Sequence, residues 1–234
     1  VFSKTRPINY LILGILFLLI YSLYQFKETS WINDGWQIAQ KIALFFFLFA
    51  SFFLLNFLTL KNNLTKSNNY AIFLFSIFLI LFPIIFKTPN VIIANFLLLL
   101  ALRRLIAIQN LKNTKEKIFD ASLWIFMAAI FHFWSILYIL LVFITILFNT
   151  ARDYRNWILP FIAFFVAATI FVLVALFFET NWISILLEKA NINYKIDYFQ
   201  NNSQNWALSI YVTISLFFLV SMVFSISKKA QIIQ

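Results

Sequence analysis

The chain has 234 residues, 63% hydrophobic and 11% charged, with a formal net charge of +10. A soluble domain needs about a quarter of its residues charged, and a disordered chain needs low hydrophobicity, so both classes are excluded. With no Cys, disulfides, Fe–S clusters and thiolate zinc sites are excluded too. What remains is an all-α fold, a polytopic transmembrane bundle forming a single integral-membrane domain over residues 1–234.

A helix needs roughly 20 apolar residues to cross ~30 Å of hydrocarbon. Ile8 to Phe26 meets that and follows Lys4 and Arg6. No small-residue cleavage site follows, so it reads as a retained anchor. The second stretch runs from Ile38 to Leu60, with Phe45 and Phe52 on an expected lipid-facing stripe, and the third from Tyr70 to Phe86. Thr88-Pro89-Asn90 then forces a turn, because proline disfavours helix at the residue before it. The fourth stretch, Val91 to Leu102, continues as helix past Arg103 and Arg104.

Ala121 to Phe148 is either one long helix or two short ones meeting near His132. Two further stretches, Trp157 to Phe178 and Trp206 to Ile226, complete seven or eight membrane segments. Lys and Arg concentrate in cytoplasmic loops. A break near His132 places 13 of the 18 basic residues on the cytoplasmic side, with both termini there. One unbroken helix changes the division to 11 against 7. The broken form is therefore expected, as a re-entrant or cavity-lining pair over residues 121–148. A helix of Ala121 to Phe133 would be only ~20 Å long at 1.5 Å per residue. Residues 109–120 suit a short helix on an anionic lipid surface. Trp182-Ile-Ser-Ile-Leu-Leu-Glu-Lys189 suits an amphipathic interfacial helix. The Trp residues read as belts at the two headgroup levels, Trp124 and Trp157 at the inner one.

The cations are spread over short cytoplasmic segments, so the +10 charge indicates topology rather than nucleic-acid binding. No Walker A, GxGxxG, HExxH or GxSxG pattern occurs, and one His with eight carboxylates offers no metal centre and no cofactor site. Ion pumps place ionisable groups deep in their spans. Here those positions hold Ser51, Asn56, Ser76, Asn95, Thr145, Thr169, Thr213 and Ser215, suited to interhelical hydrogen bonds of ~1 kcal/mol. A small-solute or lipid transporter is accordingly a third reading.

Three groups carry candidate chemistry. Glu28 and Asp34, in the loop after the first span, are placed to act as a general base. Lys87 with Asn90 stands at the outer turn, where an ammonium can hold a lipid phosphate. His132, at the break, can join them as acid or ligand near neutral pH. Arg103, Arg104, Arg152 and Arg155 face the cytoplasm, where guanidinium groups bind anionic headgroups bidentately.

Two resemblances follow. Phe2-Ser-Lys-Thr-Arg-Pro-Ile-Asn-Tyr10 and Leu102-Arg-Arg-Leu-Ile-Ala-Ile-Gln-Asn110, with Lys117-Ile-Phe-Asp-Ala-Ser-Leu-Trp124, resemble a multi-pass membrane family of Bacteroidota whose function is uncharacterised. Some of its members carry a carotenoid-oxygenase name. That name implies an iron held by several His, which a chain with one His does not provide. Thr88-Pro-Asn90, the basic surface segment, Asp120-Ala-Ser-Leu-Trp124 and two short helices are similar in pattern to the core of GT-C glycosyltransferases. That resemblance implies a polyprenyl-phosphate-linked donor and an acid in the first outer loop, where Glu28 and Asp34 stand. The leading expectation is a non-enzymatic subunit or scaffold of a cell-envelope assembly in a bacterial inner membrane. Its expected partners are other membrane proteins and an anionic lipid or polyprenyl phosphate. The alternative is a GT-C-like transferase.

Overall fold

The computed structural model describes residues 7–26, 35–62, 69–150, 153–178, 181–190 and 202–232. They form helices without a strand among the described residues. The chain divides into two compact units, Val1–Ile192 and Asn193–Gln234. The second holds one long helix, α9 (Asn202–Ile232).

In the first unit, α1 (Pro7–Gln25), α2 (Gly35–Lys61) and α3 (Tyr70–Leu81) pack through Leu13, Phe17, Leu48, Phe52 and Ile72. Phe52 is 1% exposed and lies 6.0 Å from the Phe17 ring. The lipid-facing stripe expected of Phe45 and Phe52 is thus corrected. Phe52 lies in the contact of three helices, because a stretch apolar on every side gives no sign of its buried face.

The third apolar stretch is not one helix. Pro83 has no amide hydrogen to continue α3, so the chain breaks at Phe82 and resumes as a 3-10 segment, Pro83–Lys87. That segment folds back on α1. Phe86 packs edge-on to Tyr21 at 5.6 Å, and Gln25 Nε2 donates to the Phe86 carbonyl at 3.4 Å.

Pro89 then opens α4 (Pro89–Ile106), where the missing N–H costs nothing. A turn with Leu111 and Asn113 in the left-handed region reverses the chain into α5 (Thr114–Phe131). Residues 114–120 are therefore the first turns of α5 and not a separate surface helix. Trp124 is also corrected: it stands mid-helix in α5 and packs against the buried clusters of α4 and α5. Small residues let α5 approach its neighbours closely. Ala94 and Ala128 meet α4 against α5, and Ala163 and Ala167 bring α7 (Arg155–Phe178) against Phe126.

The chain breaks at His132, whose backbone is extended. A 3-10 segment, Phe133–Tyr138, leads into α6 (Ile139–Asn149). Ile118 near the start of α5 shares a buried cluster with Ile146 near the end of α6, so the two run antiparallel. α8 (Asn181–Glu188) closes the unit as a short amphipathic helix.

Among the described residues, four helices are long and apolar enough to cross a membrane: Ile8–Gln25, Gly35–Lys61, Pro89–Asn110 and Arg155–Phe178. Soluble proteins rarely leave apolar patches beyond a few hundred Å² uncovered. Here Phe148, Phe165 and Phe177 are 79%, 67% and 82% exposed. These features mark a helical membrane protein. Most of the hydroxyls along its helices turn inward on their own backbone rather than across to neighbours. Ser51, Ser76, Thr145, Thr169 and Thr213 each donate to the carbonyl four residues earlier, at 2.7–3.0 Å. For these hydroxyls this corrects the expected interhelical bonds, the nearest acceptor in hydrocarbon being the i−4 carbonyl, whereas Asn56 does bond across helices, its Oδ1 accepting from the Tyr10 hydroxyl at 3.4 Å.

Candidate ligand-binding clefts

α1 ends and α2 begins at the same end of the unit, fixed by the Tyr21 hydroxyl donating to the Lys41 carbonyl at 2.8 Å. α4 starts there, and the antiparallel α4–α5 turn brings the end of α5 there too. Two clefts open at this end.

The first, of about 710 Å³, is the more polar of the two, although Leu44, Phe47 and Ile93 also line it. Its walls come from the opening turns of α2 (Trp36, Gln37, Gln40 and Lys41), from Lys87 before α4 and from Pro89 and Asn90 at its start. The second, of about 580 Å³, is apolar. Met127, Ile130 and Phe131 of α5 face Ile170, Phe171 and Val174 of α7, and α8 closes it with Trp182, Ile185 and Leu186. Among the described residues, Lys189 is its one cation and Asn90 its one amide. Asn90 lines both clefts.

The structure brings Lys87 and Asn90 into one cleft. His132 is exposed, caps the end of α5 and lines neither cleft, although its neighbour Phe131 lines the second. Glu28, Asp34 and Arg152 lie outside the described residues. Gln37, Gln40 and Lys41 were passed over in the sequence, where the second stretch was begun at Ile38. The available signal was spacing, since positions i, i+3 and i+4 share one helix face.

The described arginines of the set, Arg103, Arg104 and Arg155, stand at the opposite end and are engaged within the chain. Arg104 pairs with Asp120 at 3.1 Å, and Lys115 with Asp153 at 3.5 Å. Lys117 Nζ donates to the Ala107 carbonyl at 2.8 Å. Lys61 and Arg103 both lie over the Phe57 ring, at 5.0 and 5.3 Å. Arg155 lies over its neighbour Tyr154. Of the four described carboxylates, Asp120 and Asp153 are ion-paired and Glu116 accepts from Asn113. No group of three His, Cys, Asp or Glu able to hold a metal occurs among the described residues. No protein-family model matches the chain, and neither a curated protein nor a solved structure matches it.

Proposed function

We propose that this chain is a non-enzymatic subunit or scaffold of a cell-envelope assembly, embedded in a bacterial inner membrane with both termini cytoplasmic. One observation carries the reading. Among the described residues, the two clefts are lined by apolar, amide and ammonium groups, with no carboxylate, imidazole or hydroxyl. Such walls hold and orient a ligand but offer no general acid–base pair. The expected partners remain membrane proteins together with an anionic lipid.

The GT-C-like transferase is the second reading, favoured by one feature. Asp34 lies two residues before the cleft-lining Trp36 in the sequence. Purification in mild detergent separates the two. The subunit reading expects stable protein partners and no turnover of polyprenyl-linked sugar donors. Turnover that is lost in Glu28→Gln or Asp34→Asn, with the protein's abundance unchanged, would establish the transferase instead.

A further inference from the structure

We infer that Lys61 and Arg103 form a site for the phosphate of an anionic bilayer phospholipid, with an acyl chain lying along the exposed phenylalanines of α2. The site deepens the subunit reading, which counts an anionic lipid among the partners, and rests on it for placing this end of the bundle at the cytoplasmic leaflet.

Helix ends gather the charge. Lys61 is the last residue of α2, and Arg103 stands in the last turn of α4. The two helices run side by side in the same direction, Phe47 meeting Phe96 edge-on at 5.5 Å. Both cations are exposed. The Lys61 ammonium is 5.0 Å, and the Arg103 guanidinium 5.3 Å, from the centre of one ring, that of Phe57. Like charges gathered on one ring repel, and an anion held by both removes the repulsion. The ring offers no lone pair, so its contact leaves N–H donors of both groups to oxygen acceptors. A guanidinium presents a fork that fits phosphate, and the ammonium adds a point charge.

The protein's own carboxylates at this end are engaged elsewhere. Asp120 pairs with Arg104, Asp153 with Lys115, and Glu116 accepts from Asn113. Residues 1–6, 62–69 and 151–152, which adjoin this end along the chain, contain no Asp or Glu and add Lys4, Arg6, Lys66 and Arg152. The excess of cations favours a headgroup of net negative charge. A zwitterionic headgroup brings its own ammonium, which Lys61 and Arg103 repel.

The tail follows from the α2 surface. Phe46, Phe53 and Phe57 are exposed on the α2 face that ends at Lys61, their spacing of seven and four residues keeping them on one side. A chain attached to a phosphate at Lys61 runs along this aromatic face, within hydrocarbon. A free phosphate ion gains nothing from it.

The test uses the full chain in phosphatidylcholine nanodiscs, with binding read by native mass spectrometry and thermal shift. The probes are phosphatidylglycerol, phosphatidylethanolamine and inorganic phosphate. Phosphatidylglycerol should bind at least ~10-fold more tightly than either other probe, and inorganic phosphate should not displace it. Lys61→Gln and Arg103→Gln should each weaken it about fivefold, the worth of one cation at an anionic surface. Phe57→Leu, which removes the ring that gathers the cations, should weaken it about two- to fivefold. Lys112→Gln removes the same charge from an exposed position at this end and should bind as wild type. So should Arg104→Gln/Asp120→Asn, which removes the engaged pair and leaves the net charge unchanged. Melting temperatures of the variants without added lipid report whether they fold. Three results would each overturn the site: equal binding of phosphatidylethanolamine, displacement by inorganic phosphate, or wild-type affinity in folded Lys61→Gln/Arg103→Gln. A loss in Lys112→Gln as large as in Lys61→Gln would also overturn it, reducing the effect to a diffuse surface field. Loss of the lipid preference while protein partners still copurify removes the site and leaves the subunit reading. A preserved preference in a chain that copurifies no protein removes the subunit reading and leaves the site.

Discussion

Arg104 Nη2 lies 3.1 Å from Asp120 Oδ2, tying the end of α4 to the second turn of α5. The two side chains are 49% and 33% exposed. An ion pair this open contributes ~0–1 kcal/mol. Asp120→Asn should therefore lower the detergent melting temperature only slightly, by an amount that shrinks further in high salt. A loss beyond ~2 kcal/mol would mean that the pair is far more shielded than its exposure indicates. The pair also occupies the guanidinium that the sequence offered to a headgroup.

The turn between those two helices carries a local cost. Leu111 has φ 52° and its side chain is 63% exposed. A left-handed L-residue costs roughly 1–2 kcal/mol, which glycine avoids. Glycine gives part of that back in chain entropy. Leu111→Gly should stabilise the protein by up to about 1 kcal/mol in reversible unfolding. A destabilisation would show that exposed Leu111 is held by contacts with lipid or a partner protein.

Helix approach gives a sharper contrast. Ala128 is fully buried between α4 and α5, whereas Phe165 on α7 is 67% exposed. Ala128→Leu inserts a branched side chain where backbones meet and should cost about 1–3 kcal/mol. Phe165→Leu, on a surface that hydrocarbon covers, should be nearly neutral. Melting curves of both variants in one detergent check the ranking. Equal losses would place Phe165 in a protein interface, a result the subunit reading would welcome.

The helical class was legible because the hydropathy signal is summed over whole stretches. The break at His132 was legible through charge, and Asp153, 3.5 Å from Lys115, now places the ends of the α5–α6 pair side by side. Side-chain orientation was not legible. In a chain with 32 Phe, a helix apolar all round has no hydrophobic face to read. Phe52 and Trp124 were misplaced for that reason. The start of α5 was missed for another: Thr114-Lys-Glu-Lys117 looks like a surface segment, yet a good helix-forming run simply extends the buried helix. At the candidate site, proline and charge drew attention to Lys87 and Asn90. The contribution of α7 and α8 depends on tertiary packing, which no local pattern encodes.

The last prediction concerns topology. α5 has 18 residues, about 27 Å at 1.5 Å per residue, against the ~20 Å expected from its apolar run alone. With tilt or local thinning a helix of that length suits a ~30 Å core. The return strand of chain, Phe133–Asn149, is 17 residues and runs antiparallel. Residues on either side of the pair thus meet, as Lys115 and Asp153 do. Reporter fusions after Asn110 and after Arg155 should both report the cytoplasm, whether the pair spans or re-enters. A fusion after Gln234 should report the same side, on the expectation that α7 and α9 each cross once. An external signal after Arg155 would require one continuous span through His132, against its extended backbone. It would also reverse the side on which Arg155 is expected. An external signal after Gln234 alone would leave the α5–α6 pair intact and place the error in α7 or α9.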